Sequence, residues 1–436
     1  MHIRLSNSSL CNEEIGYDPT GLLNFINKAR GKGLAIAAYH LTDQEWIVPA
    51  LTAFNADVTI DYFYKKPSPA GKGGDNANAH SVEIMGQNQN IKFHQRTKTN
   101  IMHDKFMVRV NNGVAEAITQ GTANYTTEGL TQQANVIHTF ESPALAALYL
   151  ERQQLLEPDP TVGDTAKKAV WSVPVPVGDA SIRVFFAPEA PASTKTTKGS
   201  RSSIDEVVNA VSNAKSSVMF SLFSATDKDL LDACMTVAES GKLMRGLVNS
   251  ISDKSAVDDS DQTENAATVA ATWLFERSKE DNMVVGHDSF GSNNTPSGFW
   301  QESNTLVDPN VPKPAGGAGK SFIPPVFVHQ KIVIIDGTTD HPIIYMGSAN
   351  LSGNSTWHND ENLLEIKGSP RLAKIYVAEF MRLYEQYRAR FSWNKHQANP
   401  ALKTFSLTKD TSWAAKDYKA GTMEYIARKI FTNQPV

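Results

Sequence analysis

Two short runs in this 436-residue chain set an imidazole two residues ahead of an ammonium: His103-Asp104-Lys105 and His329-Gln330-Lys331. Eighteen residues after each histidine begins a small-residue run ending in an amide, Gly121-Thr122-Ala123-Asn124 and Gly347-Ser348-Ala349-Asn350. Fourteen residues past each glycine stand Asn135 and Glu361. A single His-x-Lys reads as an ordinary edge or solvent-facing strand; two copies at matched spacing reverse that reading. Two His, two Lys and two Asn around one point suit a phosphodiester. The lysines and amides would hold the non-bridging oxygens and the charge of a trigonal-bipyramidal transition state. One neutral imidazole would attack phosphorus, and the other, protonated, would pass its proton to the leaving oxygen. This chemistry needs no metal, the sequence supplies no zinc-ligand or carboxylate cluster, and no cofactor is expected.

The elements that must position these groups also occur twice. His2-Ile3-Arg4-Leu5 is echoed by Ser181-Ile182-Arg183-Val184-Phe185-Phe186, both reading as strands. The helical pattern 22–29 has its counterpart at 204–214. The apolar runs 34–39 and 218–223, each leading to Thr-Asp, read as strands buried on both faces of a sheet. Within Ile101–Val108 and Val326–Asp336, period-2 alternation predicts His and Lys on one face of a strand. Ser142-Pro143 and Ser369-Pro370 each open a long helical pattern, with proline at the first helical position after a serine cap. The chain reads as one α/β lobe used twice: 1–160, a linker at 161–180, and 181–395, with a tail at 396–436. The second copy carries a surplus within about 250–325, a segment with 11 acidic and 5 basic residues and two loop-like glycine-rich stretches. The tail's Trp393, Trp413 and Tyr418 are expected to pack onto a lobe. The connector near 156–180 and the stretch 193–203 are expected to be exposed.

The doubled His-x-Lys with its downstream Gly-(Ser/Thr)-Ala-Asn resembles the signature of the phospholipase D superfamily over roughly residues 1–395. His329-x-Lys331-x4-Asp336 fits that family's HxKxxxxD pattern in full, whereas the first copy has Val110 where the aspartate belongs, as in the similar tyrosyl-DNA phosphodiesterase branch. The resemblance implies two homologous α/β/α sandwich lobes related by a pseudo-two-fold axis, with the active site at their interface and a covalent phosphohistidine intermediate. It implies His103 as nucleophile and His329 as general acid. Asp336 would support its strand, so Val110 bears on local stability more than on chemistry. It also places Glu361 and Asn135 where a side chain orients an imidazole. A carboxylate there fixes the tautomer and raises ring basicity. Whether each serves the histidine of its own repeat or of the other stays open.

Thr122 and Ser348 are expected at the substrate-binding position, as donors beside the catalytic groups. Lys92, His94, Arg96 and Lys98 read as a solvated basic face. His40, His138, His287 and His358 read as structural, with His358 near the pocket rim, and Asn354 and Asn362 flank the second motif. Cys11 and Cys234 have no activating neighbour in sequence.

Three readings of the substrate follow: a phospholipid, hydrolysed or transphosphatidylated; a nucleic acid; or no turnover at all, in a phosphate-binding scaffold. Intact His and Lys in both repeats oppose the scaffold. The net charge of −4 and pI of 6.3 give a nucleic-acid groove no support in bulk composition. The apolar residues Phe290, Phe299, Trp300, Phe322 and Val326 would form an acyl-accepting rim. A monomer with transient membrane-surface contact is expected. Two cysteines exclude a disulfide framework, and no apolar run approaches the roughly 20 residues of a membrane span. The N-terminus lacks a signal-peptide pattern, which makes the cytoplasm the default and secretion the alternative if a signal has been trimmed.

Overall fold

The computed structural model describes residues 2–6, 20–66, 74–131, 133–191, 199–224, 227–250, 284–287, 328–398 and 410–435. The fold is α/β with two mixed sheets, and each repeat supplies one. The first contains β1 (His2–Ser6), β2 (Gly33–Ala38), β3 (Asp57–Phe63), β4 (Ile91–Arg96), β5 (Lys105–Asn111), β6 (Val114–Gly121) and β7 (Ile137–Glu141), in the order β1-β7-β6-β5-β2-β3-β4. The second contains β8 (Val175–Val177), β9 (Ala180–Ala187), β10 (Ser217–Ser224), β11 (Leu243–Ser250), β12 (Val284–His287), β13 (Lys331–Ile335), β14 (Ile343–Gly347) and β15 (Glu361–Lys367). Its order, β8-β9-β15-β14-β13-β10-β11-β12, repeats the first strand for strand once edge strand β8 is set aside. The pairing at one side differs: β1 runs parallel to β7, while β9 runs antiparallel to β15.

Local chemistry accounts for these elements. Leu22, Phe25 and Ile26 recur at helical spacing on the helix Thr20–Lys28 and, with Ala29 just past its end, join β2 and β3 residues in one core cluster. All six residues of β2 are buried, as its unbroken apolar run requires. Ser142 caps the helix Pro143–Leu156 by accepting from the Leu145 amide, with Pro143 in the first turn.

The chain divides into two compact units: 1–209 with 329–332 and 340–369, and the remainder. In the second unit, Asp336 sits at φ 52° and accepts from the Lys215, Ser216 and Ser217 amides and the Ser216 hydroxyl. In the first repeat Val110 holds that position as a β5 residue at an irregularity in the β5–β6 ladder.

Four expectations change. The histidines are not strand residues, because β5 and β13 begin at Lys105 and Lys331 and each histidine lies just ahead. Ser203 is buried, since the Glu189 carboxylate accepts from the hydroxyls of Ser200, Ser202 and Ser203 and from two of their amides. Trp413 and Tyr418 are exposed instead of packed, on a 3-10 helix, Ser412–Tyr418, that buries none of its residues, with the Arg428 guanidinium over the Tyr418 ring. Arg96 is the fourth and belongs to the site. Residues 161–180 carry a helical turn, Val162–Ala166, and β8. The insertion at 250–325, apart from β12, lies outside the described residues, as do its apolar rim residues, Cys11 and the side chains of His287 and Trp393. No described helix is long and apolar enough to cross a membrane.

Candidate active site

Every residue singled out for chemistry falls in the first unit, Asp336 excepted. The two glycines of the Gly-x-Ala-Asn runs set the framework. A Cβ on Gly121 would come within 2.2 Å of the Val136 carbonyl oxygen, and one on Gly347 within 2.3 Å of that of Asn362. No side chain fits where the backbone following Asn135 or Glu361 passes this closely. The next residue ties the crossing down. The Thr122 amide donates to Val136 O at 2.9 Å and its Oγ1 accepts from the Val136 amide at 3.0 Å. Ser348 makes the same pair of bonds with Asn362, at 3.0 and 2.9 Å.

This framework delivers Asn135 and Glu361 to the histidines, each to that of the other repeat. His103 Nδ1 lies 2.7 Å from Glu361 Oε2, and His329 Nδ1 lies 3.0 Å from Asn135 Oδ1. Backbone bonds reinforce the exchange, from the His103 amide to Asp360 O at 2.8 Å and from the His329 amide to Ala134 O at 3.0 Å. Asn135 has its amide orientation fixed. Its Oδ1 accepts from Thr122 Oγ1 and its Nδ2 donates to Gly129 O, both at 2.8 Å. The carbonyl end therefore faces His329, and Nδ1 of that ring carries the proton. Glu361 is fully buried and accepts from Ser348 Oγ, Ser355 Oγ and Asn359 Nδ2 besides His103. Thr122 and Ser348 are themselves fully buried, and their hydroxyls donate to Asn135 Oδ1 and Glu361 Oε2.

The basic groups press on one another. Lys105 and Lys331 are buried, and each ammonium donates to the carbonyl of its own histidine two residues back. Burial pulls Lys105 down to about 7, against the opposing pull of Glu361 and Asp104. Burial and then the Lys105 charge hold Lys331 well below the ordinary lysine range. Both imidazoles are held well below their usual range, first by burial and then by the two lysines. Burial raises Glu361 to about 7, with Lys105 and its hydrogen-bond donors resisting. A bound anion would oppose this mutual repulsion and favour the protonated forms of the four bases. Asn124 and Asn350 are half-buried, and their buried Oδ1 atoms have no hydrogen-bond partner among the described residues. Among the described residues, no three His, Cys, Asp or Glu side chains come together as metal ligands.

Several neighbours were not legible as site residues. The Tyr39 ring lies edge-on to His103 at 5.3 Å, under the Lys105 ammonium, and stacks on His40 at 3.9 Å. His40 Nε2 is 3.0 Å from Asp75 Oδ2. Arg96 leaves the expected basic face altogether. Being the last residue of β4, it is buried and its guanidinium grips Asp360, Asp159 and the Pro160 carbonyl. Lys92 and Lys98 stay exposed. Arg152 bridges Asp104 and Asp360. Asn362 donates to Asp104 at 2.9 Å. His138 is buried and stacked on Phe140, while His358 is exposed and meets Asn100 and Thr99 through its carbonyl. Cys234 is buried, and burial pushes its thiol up to about 12.

The chain is similar to known proteins in sequence pattern and in fold. A family model described as a cardiolipin synthase, phospholipase D-like domain matches residues 22–154 and 310–384. A search of curated proteins finds no significant match. Among solved structures, phosphatidylserine synthase of Haemophilus influenzae is 12% identical, with 88% of this chain and 92% of that one covered at a TM-score of 0.51. NucT from Helicobacter pylori is 19% identical over 47% of this chain and 96% of its own, and Nuc from Salmonella typhimurium 17% over 48% and 95%, each at a TM-score of 0.29. The chain thus carries a phospholipase D-like domain in two segments, on a two-sheet α/β fold similar to that of phosphatidylserine synthase.

Proposed function

We propose that the chain cleaves or exchanges a phospholipid phosphodiester through a phosphohistidine on His103, with His329 as acid and then base. The observation that carries the assignment is the unequal pairing of the two rings, His103 with a carboxylate and His329 with a neutral amide. The carboxylate favours the cationic imidazole that forms when Nε2 bonds to phosphorus, and it keeps the proton on Nδ1 so that the Nε2 lone pair is the nucleophile. An amide stabilises imidazolium less, so His329 gives up its proton more readily. In the first step the His103 Nε2–P bond forms and the P–O bond to the leaving alcohol breaks, that oxygen taking the proton of His329. In the second, water or an alcohol attacks phosphorus, loses a proton to His329, and the P–N bond breaks. The ammonium groups of Lys105 and Lys331 supply N–H donors to the non-bridging oxygens. The inward Oδ1 atoms of Asn124 and Asn350 leave their NH2 groups for the same oxygens.

A phospholipid substrate is supported by the description of the matching family model, by the net charge of −4 and by Arg96, whose charge is consumed internally. Within this reading the repeats 1–160 and 181–395 are duplicated lobes that each contribute a His, a Lys and an Asn, and the protein works as a monomer in transient contact with a lipid surface. The test is parallel assay of phosphatidylcholine and phosphatidylglycerol vesicles, single-stranded DNA and bis-p-nitrophenyl phosphate, with and without EDTA. Lipid turnover that survives EDTA and an acid-labile phosphoryl adduct on His103 are expected. Turnover of DNA alone would reject the lipid, and adduct formation in a His103→Ala variant would reject the nucleophile.

A further inference from the structure

We propose that Arg152 is the positioning residue of the His103–Glu361 pair, an inference that rests on that pair being the nucleophile and its partner. Each member of the pair has a carboxylate as its sequence neighbour, Asp104 beside His103 and Asp360 beside Glu361, and both carboxylates are fully buried. One guanidinium joins them. Arg152 Nε meets Asp104 Oδ2 at 3.4 Å and Nη2 meets Asp360 Oδ1 at 3.2 Å, while Nη2 also donates to Ala187 O at 2.6 Å. Arg96 holds the other side of Asp360, with Nε at 2.8 Å from Oδ2. The backbones are pinned alongside by the His103 amide on Asp360 O and the Asp360 amide on Ile101 O, at 2.8 and 3.0 Å. The roots of nucleophile and partner are thus fixed to one planar, five-donor group whose angles a lysine cannot reproduce.

The other half of the site is an internal control. His329 and Asn135 repeat three contacts of His103 and Glu361: the ring nitrogen on its partner, the histidine amide on the carbonyl before that partner, and a hydroxyl donating to the partner. There, Gln330 stands at the position of Asp104 and Ala134 at that of Asp360. Gln330 is buried, with neither side-chain polar atom bonded among the described residues. In the sequence repeat, Glu379 takes the place of Arg152, nine residues after the proline that opens its helix. The clamp therefore accompanies the carboxylate-paired histidine alone. Simple neutralisation of two buried acids would not require one arginine to reach both neighbours of the pair, and Arg96 already neutralises Asp360.

The test combines a mutant cycle with a spectroscopic readout. Arg152→Gln and Arg152→Lys are made in wild type and in Glu361→Gln, and kcat and KM are measured on bis-p-nitrophenyl phosphate. Because a misplacement of about 1 Å costs about 100-fold, Arg152→Gln should lower kcat about 100-fold with KM nearly unchanged, and Arg152→Lys should lose less. In the Glu361→Gln background the further loss from Arg152→Gln should nearly vanish, as coupling through one residue demands. Ring-15N histidine NMR follows the His103 Nδ1–H resonance, assigned by its absence in His103→Ala. It should be downfield in wild type, lost in Glu361→Gln, and broadened or moved upfield in both Arg152 variants. Additive kcat losses, a loss carried by KM, or an unmoved resonance would overturn the proposal. If Arg152→Gln does not fold, Arg152→Lys gives the same two readouts. If wild type does not turn over the diester, the reading of the site fails and the NMR result alone decides the role of Arg152.

Discussion

Glu361→Gln removes one charge from behind His103 while keeping the side chain's size, and its cost can be worked from the contacts. The bond to His103 Nδ1 is 2.7 Å long and both partners are buried. With the charge centres about 4 Å apart and an effective dielectric constant of about 20, a carboxylate stabilises an imidazolium by about 4 kcal/mol. At about 1.4 kcal/mol per decade this is a loss of about 1,000-fold in the step that makes His103 cationic. Geometry adds to it. Glu361 Oε2 faces the Nδ1–H of His103, and Oε1 faces the donating Nδ2 of Asn359 at 3.3 Å. A glutamine NH2 at either place meets a donor, so His103 changes tautomer or Asn359 is displaced. The assay is the pre-steady-state burst of p-nitrophenolate from bis-p-nitrophenyl phosphate, with urea unfolding as the control for folding. Glu361, raised to about 7 from its ordinary 4.5, binds more protons folded than unfolded between those values, so its contribution to stability falls as pH rises from 4.5 to about 7. The variant should therefore be no less stable than wild type at pH 8. A folded variant whose burst rate lies within about fivefold of wild type would refute both the charge argument and the assignment of His103.

Lys105→Met should raise the titration midpoint of His103 in NMR, since it removes a depressing charge, and should lower kcat/KM about 100-fold or more through lost oxyanion support. The same variant should lose a pH dependence of stability. With Lys105 near 7 in the folded chain and near 10.4 unfolded, the unfolded state binds more protons between those values. Stability therefore rises with pH from about 7 to about 10 in wild type, and this rise should flatten in urea titrations of the variant. Asp336→Ala strips four donors of their acceptor at a left-handed residue. It should cost about 1–3 kcal/mol in urea unfolding while kcat per folded molecule stays within about twofold.

The repeat made His103, Lys105, Asn124 and their counterparts readable, because spacing survives in sequence even where contacts do not. The equivalent strand order was likewise foreshadowed by matched apolar runs. The choice of partner for each histidine was not readable, since same-repeat and exchanged pairings have the same sequence signature and differ only in how the chain packs. Arg96 and Arg152 were missed for a related reason. In Lys92-Phe93-His94-Gln95-Arg96 and Glu151-Arg152-Gln153-Gln154 each arginine lies in a polar run that reads as solvated, and only the carboxylates of Asp104, Asp159 and Asp360 make their burial tolerable. The histidines' position ahead of their strands was hidden because alternation continues past the last ladder bond.

The exchanged pairing also sets a schedule. His103 and Glu361 are 258 residues apart, and His329 and Asn135 are 194 apart. At about 5–20 residues per second of synthesis, Glu361 follows His103 by about 13–50 s. During that interval His103, the proposed nucleophile, has neither its tautomer fixed nor its proposed acid partner made. Contacts of such high sequence separation also form late in refolding. On that proposal His103 stays unarmed until synthesis has passed Glu361, and a product truncated before it carries the first motif without the chemistry.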